Sequence, residues 1–214
     1  MSEPLEQAER TRDLERFVTF IDAIVAIAIT LMVLPLVDIS GETGLEQESV
    51  GAFLQHHQAE IYSFLLSFVV IARLWLAQHR LVRHMVDTAP GTTWALFAWT
   101  LTIVFLPFPT ALVGRHGSDE TTKVLYMGTL ALSSLALALL AWMLARHPRL
   151  RDVPDPPRIG PALTTAAVFI SALAITLAFP VTGYYPLLLL ILFDPTAGRW
   201  LLRGPRKGAF KSTA

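Results

Sequence analysis

Asp22 lies inside an apolar run that extends from Phe17 to Val37. A carboxylate in such a run is costly to hold away from water, so it faces protein or a hydrated path and calls for a partner. At about 100° per helical residue, Ala23, Ile27, Leu31, Leu34 and Asp38 fall on one narrow stripe, with Thr30 on its flank. Asp22 falls on the other side with Val25, Ile29, Val33 and Leu36. One face therefore carries small and branched apolar groups and ends in a carboxylate, while the other buries an acid. On periodicity alone the stripe reads as ordinary helix–lipid or helix–helix packing. On the same terms Asp22 reads as the acid of a structural ion pair.

Other side chains with chemical potential do not assemble into a site. His56 and His57 are adjacent, and neighbours on a helix cannot chelate from one face. His79 and His84 are five apart, which misses the i, i+4 spacing of a helical metal pair. No metal ligand is therefore expected. The chain has no cysteine, which excludes disulfides and thiolate chemistry. It also lacks a Gly-rich phosphate loop, a Gly-x-Ser-x-Gly elbow and paired carboxylates within one apolar run. No enzyme and no cofactor are expected.

The elements that must position Asp22 and the stripe are membrane helices. Of 214 residues, 53% are hydrophobic and 16% charged, against about 25% charged in an average soluble domain. Apolar runs of roughly 18 residues or more are long enough to cross about 30 Å of hydrocarbon. Six spans are predicted, near Phe17–Val37, Ala59–Ala77, Thr93–Val113, Val124–Ala145, Pro161–Phe179 and Val181–Leu192. The sixth is short and meets Asp194-Pro195, where it ends or kinks. Residues 1–16 form a polar terminal segment and 204–214 a basic tail around the 17–203 membrane domain.

Basic residues test that count. With six spans, 15 of the 17 Lys and Arg fall on one side and only Arg115 and Lys123 on the other. The positive-inside rule then puts both termini in the cytoplasm, which requires an even number of spans. The lack of cysteine and the excess of Arg over Lys suit a multi-pass protein of a prokaryotic inner or plasma membrane. A net charge of zero gives no basic surface for nucleic acid. Trp75, Trp94, Trp99, Trp142 and Trp200 mostly fall near predicted interfaces, where an aromatic belt is the ordinary reading.

Within the first span, Arg16-x-x-x-Phe20-x-Asp22, Ala26-Ile27-Ala28-Ile29-Thr30-Leu31 and Val33-Leu34-Pro35 resemble the transmembrane protein 175 family of lysosomal and prokaryotic potassium channels. Ser67-Phe68 and Trp75-x-x-x-His79 are similar to that family's second helix, and Leu106-Pro107-Phe108-Pro109-Thr110-Ala111-Leu112 to the end of its third. The resemblance implies a single-repeat subunit of six helices and a homotetramer in the bilayer, with the first helix of each subunit lining the pore. It implies that Ile27, Leu31 and Leu34 are stacked apolar rings constricting the path, and that Thr30 influences selectivity. It further implies that Arg16, Asp22, Trp75 and His79 form a buried polar network holding the first helix in place.

An apolar ring gates by dewetting and by size, and offers no ligands to replace a hydration shell. Selectivity among monovalent cations is then modest, with potassium favoured, and no Thr-Val-Gly-Tyr-Gly filter loop is present. The signature serine is Ile21 here, and Arg73 stands where an apolar or aromatic residue is expected. Arg73 is thus a candidate second partner for Asp22. Four copies of Asp38 at the outer mouth would concentrate cations. The alternatives are a proton-permeable or weakly selective channel of the same fold, or a small transporter or non-conducting membrane scaffold.

Overall fold

The computed structural model describes residues 3–41, 49–151 and 159–178, and among these the chain is helical. The helices are α1 (Glu3–Leu31), α2 (Leu34–Gly41), α3 (Val50–His56), α4 (Gln58–Val82), α5 (Pro90–Phe105), α6 (Pro107–His116), α7 (Glu120–Arg146) and α8 (Ile159–Ala178). A single 3-10 turn, Pro148–Leu150, follows α7.

Local chemistry fixes several of these ends. Asp119 caps α7 by accepting the Thr122 backbone N–H at 2.9 Å, the usual way to satisfy an orphan donor of a first helical turn. Pro90 opens α5, where its missing N–H costs nothing. Thr92 Oγ1 accepts the Ala89 N–H at 3.0 Å alongside it.

Two predicted spans are broken by proline. The first was expected to be continuous, but Met32 and Val33 form a turn between α1 and α2. Pro35 has no N–H to give Leu31 and its ring crowds that carbonyl. The ladder restarts with Leu36 and Val37, whose N–H groups reach Val33 O at 2.9 and 3.1 Å. In the third span Pro107 and Pro109 remove two donors, and the Leu106 N–H is shared between Thr102 O and Ile103 O at 3.2 Å each. Helix resumes in α6, where the Thr110 N–H meets Leu106 O at 3.1 Å.

Among the described residues, four stretches are long and apolar enough to cross a membrane: Glu9–Gly41, Gln58–Val82, Pro90–His116 and Glu120–Arg146. They coincide with the first four predicted spans. α8 covers most of the fifth, with Ala162–Ala178 as its apolar part, and the sixth lies outside the described residues. α1 also reaches back to Glu3, so the polar residues before Phe17 continue the first helix.

α7 is the hub: it packs on α4, α5, α6 and α8, and it is the most enclosed of the four long spans, whereas the first span is the least. The core is built from Ile21, Val25, Ala28 and Met32 of α1, Val70, Ile71 and Leu74 of α4, Leu96, Trp99 and Ile103 of α5, and Tyr126, Met127 and Leu130 of α7. α4 and α6 approach closely at Gly114, where a Cβ would stand 3.0 Å from the Glu60 Cα. At the opposite end of α4, Val86 N–H donates to Leu150 O at 3.0 Å and Met85 pairs with Arg151, tying the two connectors together. Arg10 meets Asp87 there at 3.4 Å.

Trp200 lies outside the described residues, and the other tryptophans differ in burial. Trp94 and Trp142 are exposed, and Arg146 sits 5.2 Å from the Trp142 ring centroid. Trp99 departs from the belt reading: it is wholly buried among core side chains, because α5 turns it toward the interior.

Candidate functional site

The two faces expected of the first helix have opposite environments. Ile21, Val25, Ala28 and Met32 are buried. Ile27, Leu31 and Leu34 are 58%, 43% and 48% exposed, and Ala23, Thr30 and Asp38 are exposed beside them. Val33 was expected on the packed face with Asp22, yet is 39% exposed. The turn forced by Pro35 shifts the helical phase at that position.

Thr30 donates its hydroxyl to Ile27 O at 2.8 Å. Its proton is thereby held against the helix, and its oxygen remains an acceptor on the exposed side. Along this stripe the only polar atoms between Ile27 and Leu34 belong to Thr30 and the backbone.

Behind the stripe, Trp75 of α4 donates its indole N–H to Asp22 Oδ1 at 2.8 Å, and Asp22 and Trp75 are both half-buried. The Trp75 ring stacks near His79, with centroids 5.5 Å apart and planes at 35°. The structure thus joins Asp22, Trp75 and His79 in one chain of contacts. Arg16 is exposed on α1, six residues before Asp22, and Arg73 is half-buried on α4, two residues before Trp75. Asp38 is exposed near the end of α2.

A second polar cluster was not anticipated. Ser67 of α4 lies 2.9 Å from Tyr126 Oη of α7, and Thr110 Oγ1 of α6 lies 2.9 Å from Ser67 Oγ. All three are buried. Single hydroxyls in apolar runs have no spacing rule that pairs them, and the available hint was that Ser67 and Thr110 stand inside the quoted motifs. Close by, Met32, Pro35, Leu36, Glu60, Ser63 and Thr110 are among the residues lining a small hollow between α2, α4 and α6. His57 Nδ1 lies 3.5 Å from Oε1 of Glu60, one of the lining residues. Among the described residues no group of three or more His, Cys, Asp or Glu could hold a metal ion.

Residues 16–107 match the family model of the endosomal/lysosomal potassium channel TMEM175, so the resemblance carried by Arg16, Phe20 and Asp22 is borne out. A potassium channel of Chamaesiphon minutus is 29% identical over 159 residues, covering 71% of this chain and 72% of that protein. The crystal structure of a lysosomal potassium-selective channel TMEM175 homolog from Chamaesiphon minutus matches with a TM-score of 0.70 at 20% identity. That match covers 87% of this chain and 98% of the other, and it establishes the fold.

Proposed function

We propose that this chain, a relative of the transmembrane protein 175 potassium channels through residues 16–107, is the subunit of a potassium-permeable cation channel. Four copies surround a central path in the cell membrane, and the first span of each, α1 with α2, lines it. Ile27, Leu31 and Leu34 form successive apolar rings at the constriction, with Thr30 presenting an oxygen among them and Asp38 at the outer mouth. Asp22, Trp75 and His79, with Arg16 and Arg73 beside them, hold α1 against α4 from behind.

The observation that carries this reading is the exposure of Ile27, Leu31 and Leu34 along the first span, while Ile21, Val25, Ala28 and Met32 on its other side are buried in the core. A channel ring must be exposed on the isolated subunit and enclosed only by its copies. The apolar rings set the size of the passage and expel water from it when narrow. They replace none of a cation's hydration shell, so discrimination between potassium and sodium is modest. The low polarity between Ile27 and Leu34 argues against a transporter, whose substrate site needs polar groups near mid-membrane.

The test is flux into liposomes that hold the purified protein, under a potassium gradient and then a sodium gradient, with Ile27→Ala in parallel. Potassium flux above sodium flux, with preference lowered by Ile27→Ala, is the expected outcome. Equal flux of both cations in the two proteins would remove Ile27 from the constriction. Saturable flux coupled to a second ion would replace the channel by a transporter.

A further inference from the structure

Two polar networks stand on α4. One is the Trp75 indole on Asp22, and the other is the Ser67–Thr110–Tyr126 cluster. Ser67 and Trp75 are eight residues apart, about 12 Å along the axis at 1.5 Å per residue. The stretch Ile27–Leu34 covers about 10.5 Å on the same scale. Counted from Asp22, about 12 Å along α1 reaches Thr30, so the first network is level with the part of α1 before Ile27 and the second with the residues just before the turn at Met32–Val33.

We propose that Ser67, Thr110 and Tyr126 are positioning residues that set the outer half of the first span, as Asp22 and Trp75 set its inner half. The proposal rests on the channel reading of α1 and deepens it. The Met32–Val33 turn leaves α2 without a continuous hydrogen-bond ladder to α1, so its direction comes from the surface it packs on. That surface is α4, and Thr110 of α6 lines the hollow beside it together with Met32, Pro35 and Leu36. Thr110 in turn sits just past the second proline of the α5–α6 break, where backbone bonding is thinned as well.

The hydroxyls hold this wall in place. Thr110 Oγ1 is 2.8 Å from Leu106 O and 2.9 Å from Ser67 Oγ, and one hydroxyl has one proton to give. When Thr110 donates to Leu106, the Ser67 proton turns to Thr110 and Tyr126 donates to Ser67. When Thr110 donates to Ser67, the Ser67 proton turns to Tyr126. In both orders α4, α6 and α7 are joined through buried oxygens, and in the first the chain ends on the carbonyl that precedes Pro107. Buried networks of this kind fix a unique arrangement because an unmade bond there is expensive.

The chain has no cysteine, so spin labels on introduced cysteines report without background. Ser40→Cys on α2 and Thr121→Cys on α7 are both exposed sites. Doubly labelled protein, diluted with unlabelled protein in liposomes, gives the α2–α7 distance within one subunit. Thr110→Val and Tyr126→Phe are expected to shift or broaden that distance and to lower the potassium-to-sodium flux ratio, with Thr110→Ser restoring both. A lowered melting temperature with an unmoved α2 and an unchanged flux ratio would overturn the positioning role and leave ordinary packing. Wild-type protein without potassium flux would overturn the channel reading by itself, since the distance measurement does not depend on conduction.

Discussion

Trp75 reaches Asp22 across the interface between α4 and α1, and a half-buried acid in an apolar helix has few other ways to be satisfied. Trp75→Phe keeps a ring in place and removes the donor. It is expected to cost about 1–3 kcal/mol, read as a lower melting temperature in detergent, and Asp22→Asn, which retains an acceptor oxygen, should cost less. Asp119 makes a prediction with a pH sign. The Thr122 backbone N–H that it accepts holds its carboxyl below the ordinary aspartate value. The cap therefore contributes fully above the unfolded value and is lost as pH falls through the folded one. The melting-temperature gap between wild type and Asp119→Ala should be constant near neutrality and close as the pH drops below about 4. A gap that widened in acid would contradict the cap. At Asp38 the expectation is electrostatic: Asp38→Asn should lower potassium conductance at low ionic strength, and the difference should fade in high salt, where charges are screened.

The elements show which parts of the fold a sequence announces. α4 and α7 are single long helices because their apolar runs are unbroken and their ends carry caps or charges, and both were predicted within a few residues of their bounds. The first and third spans were predicted as continuous, although Pro35, Pro107 and Pro109 were in plain view. Hydropathy measures whether a run fits in lipid, and a proline hardly lowers it, so the broken ladder leaves no trace in that signal. The split of the first helix into two faces was legible, since a 3.6-residue period expresses burial directly. The bond from Trp75 to Asp22 could be expected only through the resemblance that grouped them, because it joins residues 53 positions apart and depends on how α1 and α4 cross. Tyr126 went unnoticed for the same reason. Gly114 belongs to this scale too. Its missing side chain allows α6 to approach the Glu60 backbone, so Gly114→Val should push the helices apart at about 1–3 kcal/mol. Chemical denaturation in micelles checks this, with Gly128→Ala on α7, which has open space at that position, as the near-neutral control.

In the whole molecule, burial is concentrated on α7 and thinnest on the first span. A subunit with that distribution holds together around α7 whether or not α1 has met another copy. In water an exposed row such as Ile27, Leu31 and Leu34 would force association. In a bilayer it would not, because acyl chains solvate those side chains as readily as a neighbouring helix does. The assembly proposed for this chain then follows mass action in two dimensions. Spreading the protein thinly in lipid should drive it toward separate subunits, and concentrating it should rebuild the complex. On the proposed channel reading, the conductance of reconstituted membranes would consequently climb faster than the amount of protein added.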